Sequence, residues 1–308
     1  MLAGPKIPLY ILADYFSLTE LLARGNEKRE RMPLPNLIVA GAQKAGTTWL
    51  HRVLAGHPQV FMSATKELEF FSKPAAKRRD LTTYEENFGG ANDARVVGES
   101  TPSYFWSKHH HSRWLEGINI RRRQHNIAQT ARETLGPEVN IVILLRDPVE
   151  RAVSAYVHHL NKGRVSLDED IISVGARHGI IHMGFYSHHL EPWYDAFGPA
   201  RVHVQLFERL MGEKEQELRR LLEFLGVDPE LLPKPLQGRV NPGSPRRRTR
   251  KGIFVTPRHG VEYLAIPAEH LGHLREIYAE DVERLGKMLP LEPKRYWSNF
   301  RSSRWGRV

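Results

Sequence analysis

Two short apolar runs, each followed at once by a polar turn and a helical pattern, constrain the fold of this 308-residue chain most strongly. The first run, residues 37–40, leads into the turn 41–46 and then into a helical pattern over Thr47–Ala55. The second run, Asn140–Leu145, carries no charge and precedes a helix predicted over Pro148–Leu160, because proline is well tolerated in the first turn of a helix. Short, continuous apolar runs are typical of strands buried on both faces of a parallel sheet.

The alternation of strands and helices continues along the chain. Residues 96–98 and 202–207 are predicted strands, and residues 213–225 and 268–289 have the apolar spacing of helices. A segment rich in proline, glycine and arginine, residues 233–252, is predicted to be a loop. The sequence therefore predicts a single α/β domain in which helices flank a central parallel β-sheet. Ligands bind such sheets at the carboxyl ends of the strands, so the turns after the two apolar runs are expected to carry the chemistry.

The first 35 residues differ in character from the rest of the chain. Residues 1–35 are predicted to form an N-terminal leader or arm, ahead of a domain that spans residues 36–308. Within the leader, residues 7–22 are fairly apolar but include Asp14 and Glu20, which favours an amphipathic helix or arm over a signal peptide. No apolar run approaches the roughly 20 residues that span a bilayer, so no transmembrane segment is predicted.

Composition narrows the chemistry and the partners. The chain has no cysteine, which excludes disulfides, thiolate metal sites and a cysteine nucleophile. Together with the missing signal peptide, this leads us to expect a cytoplasmic, bacterial protein. Lys and Arg number 45 against 35 acidic residues, a formal net charge of +10. This excess favours an anionic partner, which could be a phosphorylated small molecule, a nucleic acid or a membrane surface.

The turn after the first apolar run has the parts of an anion-binding loop. Gly41 and Gly46 allow backbone amides to approach a ligand closely, and Lys44 supplies a positive charge. Thr47 and Thr48 lie where the N-terminus of a helix offers free N–H groups. The spacing differs from a Walker A loop, in which the lysine directly follows the second glycine. On spacing alone, an ordinary strand-to-helix turn is the alternative.

The pattern K-x-G-T-T-W at residues 44–49 resembles the 5'-phosphosulfate-binding loop of sulfotransferases that use 3'-phosphoadenosine 5'-phosphosulfate (PAPS). The second turn is similar to the 3'-phosphate-binding motif of the same family, which ends a strand with arginine and places a serine eight residues further on. The resemblance implies a phosphate-loop-like nucleotide-binding fold. It also implies that the nucleotide is held by Lys44, Ala45, Gly46, Thr47, Thr48, Trp49, Arg146 and Ser154.

A third segment, residues 66–71, resembles the K-E-x-x-F-F sequence of heparan sulfate sulfotransferases and their bacterial relatives. The resemblance implies that Glu67 is the catalytic base, a role for which we expect a partly buried carboxylate. The family often has histidine where Glu69 stands, which leaves open whether Glu69 supports, replaces or merely flanks Glu67. The alternative for both residues is a solvated acidic face beside a buried Phe-Phe pair.

Three further segments fit the same family. Residues 98–105 match a segment that lines the acceptor cleft, although some relatives have lysine where Ser100 stands. The resemblance places Tyr186 beside the nucleotide, and simple core packing is an equally good interpretation of this tyrosine. Residues 241–252 resemble the basic loop that closes over the 3'-phosphate and the acceptor, with predicted nucleotide contacts from Arg250, Lys251 and Gly252. A basic loop without a ligand is the alternative.

Runs of histidine do not lead us to predict a metal site. His109, His110 and His111 are adjacent and project in divergent directions, unlike the i, i+4 pair of a helical zinc site. The same argument applies to the pairs at 158 and 159 and at 188 and 189. No metal cofactor is expected.

The sequence therefore predicts an enzyme that moves a sulfuryl group from PAPS to an acceptor hydroxyl and releases 3'-phosphoadenosine 5'-phosphate (PAP). Glu67 is expected to take the acceptor proton, and Lys44 to stabilise charge on the leaving nucleotide. The expected partner is a carbohydrate, lipid or natural-product acceptor and not a nucleic acid. A phosphate-loop kinase and a non-enzymatic binder of polyanions or nucleic acid are the alternatives.

Overall fold

The computed structural model describes residues 33–73, 80–106, 126–232, 246–256 and 264–301. These residues all lie in one compact unit, Pro33–Val308. Most of the predicted leader lies outside the described residues, and so do the histidines at 109–111 and residues 241–245 of the predicted basic loop. The division of the chain at residue 35 stays a prediction.

Strands and helices follow one another in the predicted order. The strands are β1 (Leu37–Gly41), β2 (Val60–Met62), β3 (Val96–Ser100), β4 (Asn140–Leu145), β5 (Val202–Leu206), β6 (Arg246–Thr249), β7 (Gly252–Val255) and β8 (Leu264–Pro267). The α-helices are α1 (Thr47–Ala55), α2 (Leu81–Glu85), α3 (Ile127–Leu135), α4 (Pro148–Leu160), α5 (Tyr186–Phe197), α6 (Phe207–Gly212), α7 (Lys214–Leu225) and α8 (Ala268–Met288). Short 3₁₀ helices occupy Glu86–Phe88, Arg177–Gly179, His182–Gly184, Pro199–Arg201 and Pro293–Arg295. Within the described ranges, no helix combines the length and the apolar character needed to cross a membrane.

Five of these strands form a central sheet in the spatial order β2-β3-β1-β4-β5. Every neighbouring pair in this sheet is parallel, which confirms the predicted central parallel sheet. The strands β6, β7 and β8 form a separate antiparallel sheet in that order.

The two apolar runs lie side by side at the centre of the large sheet. Residues 37–40 of β1 and residues 141–145 of β4 are all 0% exposed. A strand covered on both faces needs apolar side chains at every position, because neither face meets water. The pairing runs from Leu37 opposite Asn140 to Gly41 opposite Ile143, so both strands end at the same edge of the sheet.

The order of the strands reverses between β1 and β4. After β1 the chain adds β2 and β3 on one side of β1, and it then crosses over to add β4 and β5 on the other side. Connections that leave two neighbouring central strands in opposite directions open a crevice at the carboxyl ends of these strands. The turns after β1 and β4 both begin at this crevice.

The prediction of a loop over residues 233–252 is wrong in its last part. Residues 246–249 form β6, with Arg247 opposite Phe254 and Thr249 opposite Gly252 of β7. Three consecutive arginines show no alternation of apolar and polar side chains, so the usual pattern of a strand is missing from the sequence. The strand forms because its backbone groups bond to those of β7, and these bonds do not require apolar side chains.

Gly41, the last residue of β1, is packed so closely that a Cβ atom built on it would lie 2.3 Å from the Cβ of Phe105. We predict that Gly41→Ala lowers the free energy of unfolding by about 1–3 kcal/mol, because the added methyl group must displace a buried aromatic side chain. The matched control is Gly212→Ala, since nothing lies within 4 Å of a Cβ atom at that position. The control should be neutral or stabilising by up to about 1 kcal/mol. Urea denaturation measures both values, and equal stability of the two variants would contradict the prediction.

Candidate functional site

The turn after β1 leaves the N-terminus of α1 open. The amide of Ala42 donates to the backbone oxygen of Leu144 at 2.7 Å, which ties the turn to the end of β4. Gly46 precedes α1 with a left-handed φ of 98°, and a Cβ atom there would lie 2.9 Å from the Phe207 ring. Among the described residues, no side chain caps α1. The amide of Trp49 already donates to the backbone oxygen of Gly46, so the N–H groups offered to an anion are those of Thr47 and Thr48.

Arg146, which follows β4, lies across the same turn. Its Nη1 donates to the backbone oxygen of Lys44 at 3.3 Å, and its guanidinium carbon lies 5.3 Å from the centre of the Phe207 ring. Its Nε is buried and has no hydrogen-bond partner among the described residues. A buried donor without a partner costs free energy.

The N-terminus of α4 is filled by the protein itself. The carboxylate of Asp147 accepts from the amides of Val149 and Glu150 at 3.0 and 3.4 Å. It also accepts from the backbone and side-chain nitrogens of Asn299 at 3.0 and 2.8 Å. At this end of the crevice, the group open to a ligand is therefore the guanidinium of Arg146 and not the N–H groups of α4. Ser154, the predicted partner of that guanidinium, is half-buried on α4.

Tyr186 connects the core to the crevice. The side chain is 0% exposed, and its hydroxyl donates to the backbone oxygen of Arg146 at 2.8 Å. Burial raises the pKa of this hydroxyl, so it stays protonated and remains a donor. Tyr186 thus packs in the core and also holds the backbone of Arg146. Its contact with a nucleotide stays a prediction.

Lys44 lies among charges that come from separate parts of the chain. Burial lowers the pKa of Lys44 to about 8, with further lowering by the charges of Arg146 and Arg246, while the charge of Glu67 opposes the shift. Contacts agree with this: Arg146 bonds to the backbone oxygen of Lys44, Glu150 lies between Arg146 and Arg246 of the hairpin, and the amide of Glu67 bonds to Ser100 at the end of β3, the strand beside β1. Because this pKa lies above 7, most molecules keep the proton on Lys44 at neutral pH.

The candidate base faces solvent. The side chain of Glu67 is 56% exposed, and its Oε1 lies 2.6 Å from the Nζ of Lys66. The expectation of a partly buried carboxylate is therefore wrong. The physical reason is local: Glu67 has a left-handed φ of 66°, and its amide donates to the backbone oxygen of Ser100 at 2.9 Å, which holds the backbone inward and leaves the carboxylate outside.

Glu69 lies in a different environment from Glu67. Its φ is also left-handed, at 56°, but the residue is half-buried. The hydroxyl of Ser103 donates to its Oε1 at 2.7 Å. This contact fixes the Glu69 carboxylate within the segment, and its role relative to Glu67 stays a prediction.

Sequence reasoning missed the position of Glu99. This side chain is 0% exposed at the end of β3, and burial raises its pKa to about 7. It accepts hydrogen bonds from the hydroxyls of Tyr84, Thr101 and Tyr104. A single acidic residue in a strand with two buried faces is costly unless it is hydrogen-bonded, and this was the signal in the sequence.

Glu150 of α4 fastens the β6–β7 hairpin beside the crevice. Its Oε2 lies 3.4 Å from Nη1 of Arg246 and 3.6 Å from Nη2 of Arg146, and its Oε1 forms an ion pair with Arg248. The hairpin borders a groove of about 690 Å³ whose lining residues are Arg246, Arg247, Thr249, Arg250, Lys251, Phe254 and Thr256.

The predicted contacts at residues 250–252 lie in the turn of this hairpin and at its second strand. Arg250 and Lys251 are exposed in the turn between β6 and β7. Gly252 is buried with a φ of 138°, and a Cβ atom there would lie 2.1 Å from the backbone oxygen of Ile266. Close packing within the small sheet explains why residue 252 is a glycine. In this hairpin, it is Arg246 whose charge contributes to the lowered pKa of Lys44.

His158 is a second residue that sequence reasoning undervalued. It lies one helical turn beyond Ser154 on α4, and burial lowers its pKa to about 4, with further lowering by Lys44 and an opposing effect of Glu67. The imidazole is therefore neutral at pH 7. Its spacing of four residues from Ser154, which places both on one helix face, was the available signal. Over the described ranges, no group of three or more His, Asp or Glu side chains is arranged to hold a metal ion.

Comparisons with known proteins agree with this geometry. A family model described as "Sulfotransferase domain" matches residues 34–241. Heparan sulfate glucosamine 3-O-sulfotransferase 3A1 of Mus musculus is 26% identical over 274 residues, which are 85% of this chain and 63% of that protein. Heparan sulfate glucosamine 3-O-sulfotransferase 5 of Mus musculus is 23% identical over 244 residues, 73% of this chain and 65% of that protein. The chain thus spans less than two thirds of the length of these relatives.

A solved structure shows the same fold. The crystal structure of a sulfotransferase from Alicyclobacillus acidocaldarius superimposes with a TM-score of 0.60. The two sequences are 24% identical, and the match covers 83% of this chain and 96% of the other. The predicted phosphate-loop-like α/β fold is confirmed.

The charges around Lys44 give a prediction about its titration. Removing a nearby cation should raise the pKa of Lys44, so in Arg246→Gln we expect the midpoint to move clearly above the value of about 8 in the unmodified protein. The matched control is Arg247→Gln, since neighbouring strand residues point to opposite faces, and it should leave the midpoint unchanged. Carbon-13 methylation of lysines followed by NMR measures the titration, with the resonance assigned by its loss in Lys44→Arg. Equal midpoints in the two arginine variants would refute the assignment of Arg246 to this site.

Proposed function

Because this chain belongs to the sulfotransferase family, we propose that it transfers a sulfuryl group from PAPS to the hydroxyl of a carbohydrate acceptor. The observation that carries the proposal is the contact of the two turns, in which Nη1 of Arg146 donates to the backbone oxygen of Lys44 at 3.3 Å. An open helix N-terminus and an arginine with an unused buried donor therefore lie side by side. A nucleotide with phosphates at its 5' and 3' positions needs two neighbouring anion sites of this kind.

The residues at the crevice fit such a nucleotide. The uncapped first turn of α1, which includes Trp49, and the preceding residues 44–46 would hold the 5'-phosphate. Arg146 and Ser154 would hold the 3'-phosphate, and Tyr186 supports the backbone of the arginine. The hairpin adds further positive charge, and within it Arg250, Lys251 and Gly252 are proposed to border the nucleotide.

PAPS, when bound, supplies a sulfuryl group activated by its attachment to the 5'-phosphate. Glu67 accepts the proton of the acceptor hydroxyl while the acceptor oxygen forms a bond to sulfur. The bond from sulfur to the bridging oxygen of the 5'-phosphate breaks, and Lys44 stabilises the negative charge that develops on that oxygen. The exposure of Glu67, at 56%, suits a base that must meet an acceptor arriving from solvent.

The electrostatics of Lys44 agree with this role. Its pKa of about 8 keeps it protonated at neutral pH, although burial and two arginines oppose the charge. Negative charge favours the protonated form of a lysine, so a bound phosphosulfate strengthens the role of Lys44 as a cation. Binding of the phosphosulfate also relieves the mutual repulsion among Lys44, Arg146 and Arg246, and this relief adds to nucleotide affinity.

The names of the relatives and the charge of the hairpin groove favour a carbohydrate acceptor. The curated relatives carry names that specify the glucosamine of heparan sulfate. The hairpin groove of about 690 Å³ is lined by four cationic side chains, Arg246, Arg247, Arg250 and Lys251. Arginine and lysine in this density match the sulfate and carboxylate groups of an acidic sugar chain.

Transfer of sulfur-35 from PAPS to a panel of acceptors tests the proposal. The panel contains heparan sulfate, a neutral chitin-type oligosaccharide and simple alcohols, and we expect label in a carbohydrate. Glu67→Gln should lower the rate at least about 100-fold, since it removes a general base. The matched control Glu69→Gln should lose less than about tenfold, because that carboxylate bonds to Ser103 and supports the segment. If the transfer rate of Glu69→Gln falls further than this, the role of base belongs to Glu69. If no acceptor receives label, the proposed function is refuted.

A further inference from the structure

Glu99 is a buried carboxylate for which the proposed transfer has no use. It is 0% exposed at the end of β3, and its described hydrogen-bond donors are three neutral hydroxyl groups. Aromatic rings surround this region: Phe70 stacks on Tyr84 with ring centres 4.2 Å apart, and Phe71 packs edge-on against Tyr104 at 5.5 Å. An ionisable group in such surroundings costs free energy, so its presence calls for a specific role.

The hydrogen bonds of Glu99 have a defined direction. Oε1 accepts from the hydroxyls of Tyr84 at 2.7 Å and Tyr104 at 3.2 Å, and Oε2 accepts from the hydroxyl of Thr101 at 2.7 Å. Because the Tyr104 hydroxyl gives its proton to Glu99, its oxygen can accept another bond. The amide of Phe71 donates to that oxygen at 3.3 Å. A continuous chain of hydrogen bonds thus runs from Glu99 to the 66–71 segment.

The segment that Phe71 ends is held by the same part of the chain at two more points. The amide of Glu67 donates to the backbone oxygen of Ser100, and the hydroxyl of Ser103 donates to Glu69. Both glutamates have left-handed φ angles, 66° and 56°, which side-chain-bearing residues adopt at a cost in free energy. Such a conformation persists only where surrounding contacts hold it.

We propose that Glu99 is a positioning residue that acts through the hydroxyl of Tyr104 to hold the 66–71 segment in the conformation that presents Glu67 to the acceptor. This inference rests on the proposed role of Glu67 as the base. An ionised Glu99 can only accept hydrogen bonds, so it fixes the direction of the Tyr104 hydroxyl. A neutral carboxyl or amide group carries a donor of its own, which can occupy the oxygen that the Phe71 amide requires.

The direction of the hydrogen bond between Tyr104 and Glu99 depends on pH. Burial raises the pKa of Glu99 to about 7, the hydroxyls of Thr101, Tyr84 and Tyr104 oppose the shift, and the charge of Glu69 adds to it. Burial also raises the pKa of both tyrosines well above the ordinary value, so they remain donors. Glu99 is therefore the group of this network that changes charge near neutral pH. Above pH 7 the carboxylate holds the segment, and the restraint weakens as the pH falls through 7.

Hydrogen–deuterium exchange of the full chain, without donor or acceptor, tests the positioning directly. Tyr104→Phe and Tyr84→Phe each remove one hydroxyl from Oε1 of Glu99, but only Tyr104 also bonds to the Phe71 amide. In the peptide that contains residues 67–71, Tyr104→Phe should exchange about tenfold faster than the unmodified protein, the effect of roughly one buried hydrogen bond. Tyr84→Phe should stay within about twofold. Equal exchange in the two variants would overturn the proposal.

Two further readouts separate positioning from a purely structural role. Exchange of this peptide, corrected for its intrinsic pH dependence, should rise as the pH falls through about 7 in the unmodified protein and show no such step in Glu99→Gln.

In the PAPS transfer assay, kcat of Tyr104→Phe should fall about tenfold with an unchanged KM for PAPS, again the size of one lost hydrogen bond. Faster exchange without a fall in kcat would overturn the catalytic part of the inference. Failure of the unmodified protein to transfer label would refute the proposed function alone, because exchange is measured without turnover.

Discussion

The parallel pairing of β1 with β4 sets the positions of Lys44 and Arg146, the two cations that follow these strands. Residues 37–41 of β1 and 141–145 of β4 are buried, so a shift of one residue would move apolar side chains out of their packing positions on both faces. Because the register is fixed, the turn with Lys44 and the strand end with Arg146 meet at the same edge of the sheet. Their contact at 3.3 Å is a direct consequence of the central strand order.

The same geometry concentrates positive charge, and the protein offsets only part of it. Burial lowers the pKa of Lys44 most, and the charges of Arg146 and Arg246 lower it further. Glu150 contacts Arg146, Arg246 and Arg248 and so holds the hairpin beside the crevice. Glu150 and Glu67 are two carboxylates against the four cations Lys44, Arg146, Arg246 and Arg248. The remaining excess favours binding of a multiply charged anion, in agreement with the net charge of +10.

Local pattern predicted the parts of the fold that depend on neighbours in sequence. The bounds of β4 and α4 follow from an uncharged apolar run and a proline, and both agree with the structure. The local sequence pattern did not predict features that depend on residues far apart in the sequence. The burial of Glu99 requires Tyr84 and Tyr104 from other segments, and the exposure of Glu67 follows from a backbone bond to Ser100. The strand β6 exists through pairing with β7, which three arginines in a row do not indicate.

The central claim is that two strand ends form one nucleotide site, and calorimetry tests it most directly. Titration with PAP and with 5'-AMP compares two ligands that differ in the 3'-phosphate. We expect PAP to bind at least about 100-fold more tightly, because an arginine-bound phosphate contributes several charge-assisted hydrogen bonds. In Arg146→Gln the two ligands should bind with similar affinity. Equal binding of PAP and 5'-AMP by the unmodified protein would contradict the account and leave the basic surface to be explained as a general polyanion site.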